Sequence, residues 1–159
     1  MLQLTKRTEY ALIALVHMVD RQDQATSVRE LCERYPLPRR LVAEILKDLA
    51  HEGLVLSHRG SQGGYSLALP PERITLGRII ATIEGVPAIT NCDSIAHAKD
   101  GGCEVHPVCP IRSPIERVRE HIWRLFEATS LRSLVPAPHA ARSEVIQRLR
   151  ESLAASATT

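Results

Sequence analysis

Aromatic side chains are nearly absent from this chain, which has one phenylalanine, one tryptophan and three tyrosines in 159 residues. Aliphatic side chains must therefore fill its core. Trp123 and Phe126 read as packing residues rather than as a stacking platform for nucleobases. A strong charge imbalance is missing too. The net charge of +2 does not announce nucleic-acid binding, so a basic patch has to be found locally. No stretch approaches ~20 unbroken apolar residues, which excludes a membrane-spanning helix. The opening MLQLTKRTEY lacks the basic region, apolar run and small-residue cleavage site of a signal peptide. The expectation is a cytoplasmic chain with no membrane partner. No glycine-rich motif opens a helix after a strand, and no serine or cysteine nucleophile has a recognisable base partner. An enzyme is not expected, and a redox enzyme or electron carrier is the least supported alternative.

Cysteine is scarce but concentrated. Three of the four cysteines, Cys92, Cys103 and Cys109, fall within eighteen positions, with His97 and His106 between them. In a reducing compartment, clustered thiols point to metal binding or redox chemistry rather than to a structural disulfide. Thiolates are soft ligands suited to iron–sulfur clusters and to zinc. Cys92, Cys103, His106 and Cys109 together make a complete three-sulfur, one-nitrogen zinc set. Asp93, Asp100, Gly101, Gly102 and Pro107 mark the segment as a loop. Cys32 stands apart, and buried packing suits it better.

Residues 5 to 19 form a long apolar run rich in Ala and Leu, the pattern of a buried helix. Ser27-Val28-Arg29-Glu30 matches a capping box, in which the serine hydroxyl and the glutamate satisfy each other's free backbone donors. A short helix from Val28 to Tyr35 should stop at Pro36-Leu37-Pro38, with Pro38 suited to the first turn of the next helix. That helix runs to about Glu52, with Leu41, Val42, Ile45, Leu46 and Leu49 on one face and Gly53 as its stop. Two helices and a tight turn, with Arg39 and Arg40 opening the second, predict a helix-turn-helix. Lys47, beside Asp48, reads as surface.

Leu54–Arg59 and Tyr65–Leu69 flank Gly60-Ser61-Gln62-Gly63-Gly64, which predicts a β-hairpin with alternation at Leu54 and Leu56, then at Tyr65, Leu67 and Leu69. A hairpin in this place is a wing. Arg59 at its tip suits a minor groove, and Ser61 and Gly63 suit close approach to phosphates, as does Ser27 at its helix start. Thr75 should cap a helix carrying Leu76, Ile79, Ile80 and Ile83, ended by Gly85. Ser113-Pro114 should start a long helix to about residue 128, with Ile115, Val118, Ile122, Leu125 and Phe126 on one face. LRSLVPAPH reads as a connection, followed by an amphipathic helix from Ala140 to about Leu153.

Several segments together resemble one family, the winged-helix iron–sulfur transcriptional regulators of the IscR and NsrR type. They are LTKRTEYALIAL, LVAEILKDLAHEGLVLSHRGSQGGYSLAL, ITLGRIIATIEG, the three loop cysteines and the long helix containing Trp123. The resemblance implies a mainly α fold with a small β-hairpin, a winged helix-turn-helix plus a long dimerisation helix. It divides the chain into a DNA-binding domain (1–85), a cysteine-rich cluster-binding loop (86–112) and a dimerisation helix with a C-terminal helix (113–159). It implies a homodimeric repressor that binds a pseudo-palindromic double-stranded operator. A [2Fe–2S] or [4Fe–4S] cluster on Cys92, Cys103 and Cys109 would sense iron, redox state or nitric oxide. Glu9 matches the acidic fourth ligand that some members supply from the partner subunit, and His106 is its local rival. The ten-residue gap between Cys92 and Cys103 is longer than is usual in cluster-binding members. A DNA-binding regulator with a zinc site or a thiol/disulfide switch is the alternative reading.

Overall fold

The computed structural model describes residues 3–21, 24–60, 63–86 and 108–136. The expected ligands Cys92, Cys103 and His106, the wing residue Ser61 and the expected helix 140–153 lie outside them. Among the described residues, no helix is long and apolar enough to cross a membrane.

Helix α1 (Lys6–Val19) is capped by Thr5 and buries Thr8, Ala11, Ala14, Leu15, Met18 and Val19. Ala11 and Ala14 have no bulk, so neighbouring elements can approach α1 closely, and α1 lies at the centre of the core. Helix α2 (Val28–Arg34) is capped by the Ser27 hydroxyl, which accepts from the Glu30 N–H at 3.1 Å. The reciprocal half of the expected capping box does not form. The Glu30 carboxylate turns instead to His17 and Arg21 at the end of α1, where two cationic or donor groups compete for it. Tyr35 leaves the helix with extended backbone, as the following proline requires.

Helix α3 (Arg39–His51) buries Val42, Ile45, Leu46 and Leu49, while Leu41 is half-buried. Pro38 is its cap residue rather than part of its first turn. Its carbonyl accepts the Val42 N–H at 3.0 Å. Gly53 ends the helix with φ 67°, a conformation that side-chain-bearing residues resist.

Strands β1 (Val55–His58) and β2 (Gly64–Leu67) pair antiparallel, Val55 opposite Leu67 and His58 opposite Gly64. The predicted alternation at Leu54 and Leu56 is corrected. Leu54 and Val55 are buried, whereas Leu56 is 52% exposed. The Leu54 N–H still bonds to the Leu49 carbonyl at 2.9 Å, so Leu54 belongs to the helix end. Within β1, Val55 is buried and Leu56, Ser57 and His58 are all exposed, so the strand does not alternate. Thr26 forms an isolated antiparallel bridge to Tyr65, exchanging two 2.8 Å hydrogen bonds with it.

After a 3-10 turn (Pro71–Arg73), helix α4 (Leu76–Glu84) starts on the Thr75 cap and ends at Gly85 with φ 78°. Helix α5 (Arg112–Ala128) begins two residues before the expected Pro114, and none of its residues is fully buried. Val118 and Leu125 on its predicted apolar face are 48% and 63% exposed. The expected connection 131–139 is also corrected. It opens with a short helix, α6 (Leu131–Leu134), because Ser130 caps it and Leu131 is wholly buried in the core. Thr75 and Ser130 form an isolated antiparallel bridge that pins the end of α5 beside the start of α4.

Candidate nucleic-acid interface

The turn between α2 and α3 is fixed from within. Leu37 packs against the core, and its N–H meets the Tyr35 carbonyl at 2.6 Å. The α3 N-terminus therefore projects outward, where Pro38, Arg39 and Arg40 are all exposed. Arg40 has a side chain 95% exposed and, among the described residues, pairs with Glu44 at 3.2 Å along its own helix. Arg39 makes no ion pair among the described residues. The helix start has no side-chain cap, so its free N–H groups add partial positive charge to the two guanidiniums. Lys47 and His51 are exposed further along α3.

The wing offers a second cation. Arg59 is exposed at the hairpin tip, followed by Gly60 at φ 112°. The Gly63 N–H closes the tip on the Gly60 carbonyl at 3.0 Å. A Cβ at Gly63 would lie 2.6 Å from the His58 carbonyl oxygen, so the turn itself demands glycine there. Ser27 is brought to the base of the wing, because its neighbour Thr26 pairs with Tyr65. With the Glu30 N–H already bonded to its oxygen, the Ser27 hydroxyl proton is left to donate elsewhere.

Three polar ties hold the helices behind this surface, and none was apparent from residue spacing. Arg7 of α1 reaches Asp48 of α3 at 2.7 Å and Glu44 at 3.8 Å. Arg78 of α4 donates to the Glu52 carbonyl at the end of α3, at 2.8 Å. The Glu84 carboxylate accepts from the Thr5 N–H at 2.9 Å, from the Thr5 hydroxyl at 2.7 Å and from the Thr8 hydroxyl. Partial burial works against ionisation of Glu84, but the hydrogen bonds from Thr8 and Thr5 outweigh it and hold its pKa below the ordinary value.

Of the candidate metal ligands, Glu9 and Cys109 are described. Glu9 is half-buried in the first turn of α1, where the Lys6 ammonium lies 2.5 Å from its carboxylate. Cys109 is a free, half-buried thiol just before α5. Cys32 is half-buried and packs against the core, as expected of a small hydrophobe.

Helix-turn-helix, wing and long following helix define a winged-helix fold, and the matching family and relatives are named as transcriptional regulators. Residues 4–137 match the profile of Rrf2, described as an iron-dependent transcriptional regulator, and the chain belongs to this family. It is 32% identical over 139 residues to an rrf2-like HTH-type transcriptional regulator of Rhodobacter capsulatus, covering 84% of this chain and 93% of that protein. An HTH-type transcriptional regulator of Aquifex aeolicus is 29% identical over 130 residues, covering 79% of this chain and 86% of the relative. The fold is similar to that of CymR, the global cysteine regulator of B. subtilis, with a TM-score of 0.66 and 26% identity over 85% of this chain and 97% of that one. It is also similar to T. potens IscR, with a TM-score of 0.64 and 24% identity over 84% and 85% of the two chains.

Proposed function

We propose that the protein is a cytoplasmic, homodimeric repressor whose operator affinity is set by an iron–sulfur cluster on Cys92, Cys103 and Cys109. The observation that carries this reading is the Arg7–Asp48 pair. It joins α1, the helix bearing Glu9, directly to α3, the helix bearing Arg39 and Arg40. A change at Glu9 is therefore felt two residues away, at the contact that orients α3. The donor set fits such a group. Three thiolates in one short segment are soft ligands, the described one is a free thiol, and a carboxylate or His106 can complete the set. When bound, the cluster supplies iron and sulfide that react with oxidants and nitric oxide.

In this reading residues 1–85 read DNA, 86–112 hold the cluster and 113–159 pair the subunits. Arg39 and Arg40 approach the major groove. Arg59 enters the adjacent minor groove, and Ser27, Ser61 and Gly63 approach phosphates. The exposed Val118 and Leu125 of α5 suit a face shared by two copies. Paired recognition helices would then meet half-sites about one helical turn apart.

Anaerobic purification, with an absorbance spectrum and iron and sulfide counts, tests the cluster. Visible absorbance with iron and sulfide in the dimer is expected. A colourless, iron-free protein after loading with iron and sulfide would overturn it. The second reading, a zinc site or thiol switch on the same cysteines, draws on the free thiol of Cys109 and on the likeness to the global cysteine regulator. Native mass spectrometry separates it by showing bound zinc or a two-proton mass loss instead of a cluster.

A further inference from the structure

Helix α4 is tied by side chains at both ends to the two helices behind the DNA-reading surface. Near its start, Arg78 donates to the carbonyl of Glu52, the residue that caps the end of α3. A guanidinium there also suits the negative end of that helix dipole. At its finish, Glu84 grips the start of α1 through three hydrogen bonds from Thr5 and Thr8. Arg7 then closes the ring, because it sits between Thr5 and Thr8 in sequence and reaches across to Asp48 and Glu44 of α3. Thr8 is completely buried, so its hydroxyl has no water to turn to if Glu84 is lost. Glu84 is a costly way merely to cap a helix, since the Thr5 hydroxyl already caps α1 by accepting from the Thr8 N–H. What the carboxylate adds is a fixed position of α1 relative to α4.

We propose that Glu84 is a positioning residue for the recognition helix: it fixes the N-terminus of α1, and Arg7 carries that placement to Asp48 and Glu44 of α3. The inference rests on the reading of α3 as the DNA-reading helix and deepens it. Glu84 is also the last residue of α4, so it stands between the cysteine-bearing part of the chain and the ring. A state of the cysteines then has a route to α1 within one subunit, along the chain to Glu84 and from there through its hydrogen bonds to Thr5 and Thr8.

The test uses the full-length protein and the duplex that the wild type selects from a random-sequence library. Glu84→Ala and Arg7→Ala are expected each to weaken binding by between about 2- and 30-fold. The double variant should lose no more than the worse single one, because both changes break the same ring. Glu84→Gln keeps an oxygen acceptor in place and should restore most of the affinity. Amide hydrogen exchange at the start of α1 should quicken in Glu84→Ala with the α3 core amides unchanged. Additive losses, or unchanged affinity in Glu84→Ala, would overturn the proposal. Should Glu84→Ala fail to fold, Thr8→Val removes one donor without changing shape, and the same cycle with Arg7→Ala decides the matter. Repeating the cycle with and without iron and sulfide loading keeps the two ideas apart. A wild-type affinity indifferent to loading sinks cluster control, while the non-additivity still settles the role of Glu84.

Discussion

The Arg7 guanidinium lies 2.7 Å from the Asp48 carboxylate, joining the first turn of α1 to α3. Both side chains are more than a third exposed, so the pair contributes only about 0–1 kcal/mol to stability. Its effect should fall on orientation instead. Asp48→Asn is expected to leave the melting temperature nearly unchanged and to weaken specific DNA binding several-fold in a fluorescence-anisotropy titration. A large drop in melting temperature with unchanged affinity would make the pair structural.

Arg59 projects from the wing with no ion pair among the described residues. Arg59→Ala should weaken binding most to duplexes with a narrow, A/T-rich minor groove where the wing lies. The slope of log affinity against log salt should shrink by roughly one, because one cation that displaces counterions from the duplex is lost. An unchanged slope would place Arg59 away from DNA.

Gly64 lies against the backbone of Thr26 and Ser27. A Cβ there would stand 2.5 Å from the Thr26 carbonyl oxygen, which is backbone and cannot swing aside. Gly64→Ala should cost about 1–3 kcal/mol, as overpacking does, and should loosen the wing from α2. Urea unfolding measures the cost, and exchange of the Thr26 and Tyr65 amides reports the lost bridge.

His17 sits between α1 and α2, within reach of Tyr35 and Glu30 and near Asp20, Arg21 and Arg34. Burial, then the charges of Arg21 and Arg34, push its pKa below the ordinary 6.5, against a weaker pull from Asp20. Glu30 does not reverse this, because Arg21 already occupies its carboxylate. The unfolded chain therefore takes up the proton first. The contribution of His17 is full above the unfolded value, falls as pH drops below it, and levels off at the folded value. His17→Gln should flatten this part of the profile, read as urea midpoints at about pH 7.5 and about pH 5.5. A wild-type profile as flat as the variant's would contradict it.

Local chemistry carried most of the fold into view. Ser27 and Thr75 cap their helices, Gly53 and Gly85 end theirs, and Tyr65 lies in a wing strand, all from cues within a few residues. The misses have physical causes. Leu56 took an exposed place because the end of α3 had already claimed Leu54. Glu30 abandoned its capping box because His17 and Arg21 arrive from another helix. Leu131 opens a short helix because Ser130 caps it and the core takes its side chain, which a string with two prolines does not advertise. The exposed cations Arg39, Arg40 and Arg59 were legible because their places follow from the motif. Arg7, Arg78 and Glu84 were not, because no periodicity links residues such as Thr8 and Glu84, 76 positions apart.

The bridge between Thr75 and Ser130 has a consequence for how the family can vary. It draws together two points of the chain so that everything between them is one closed excursion, stitched at its base by the Leu76–Thr129 and Leu131–Ile74 hydrogen bonds at 2.8 and 2.7 Å. Lengthening a loop closed in this way is cheap, about 0.6 kcal/mol for each doubling. The ten residues between Cys92 and Cys103 lie within this excursion, so by that scaling their number bears little on the closure at its base. Chain length between these two joints can therefore differ among relatives while Thr75 and Ser130 still meet.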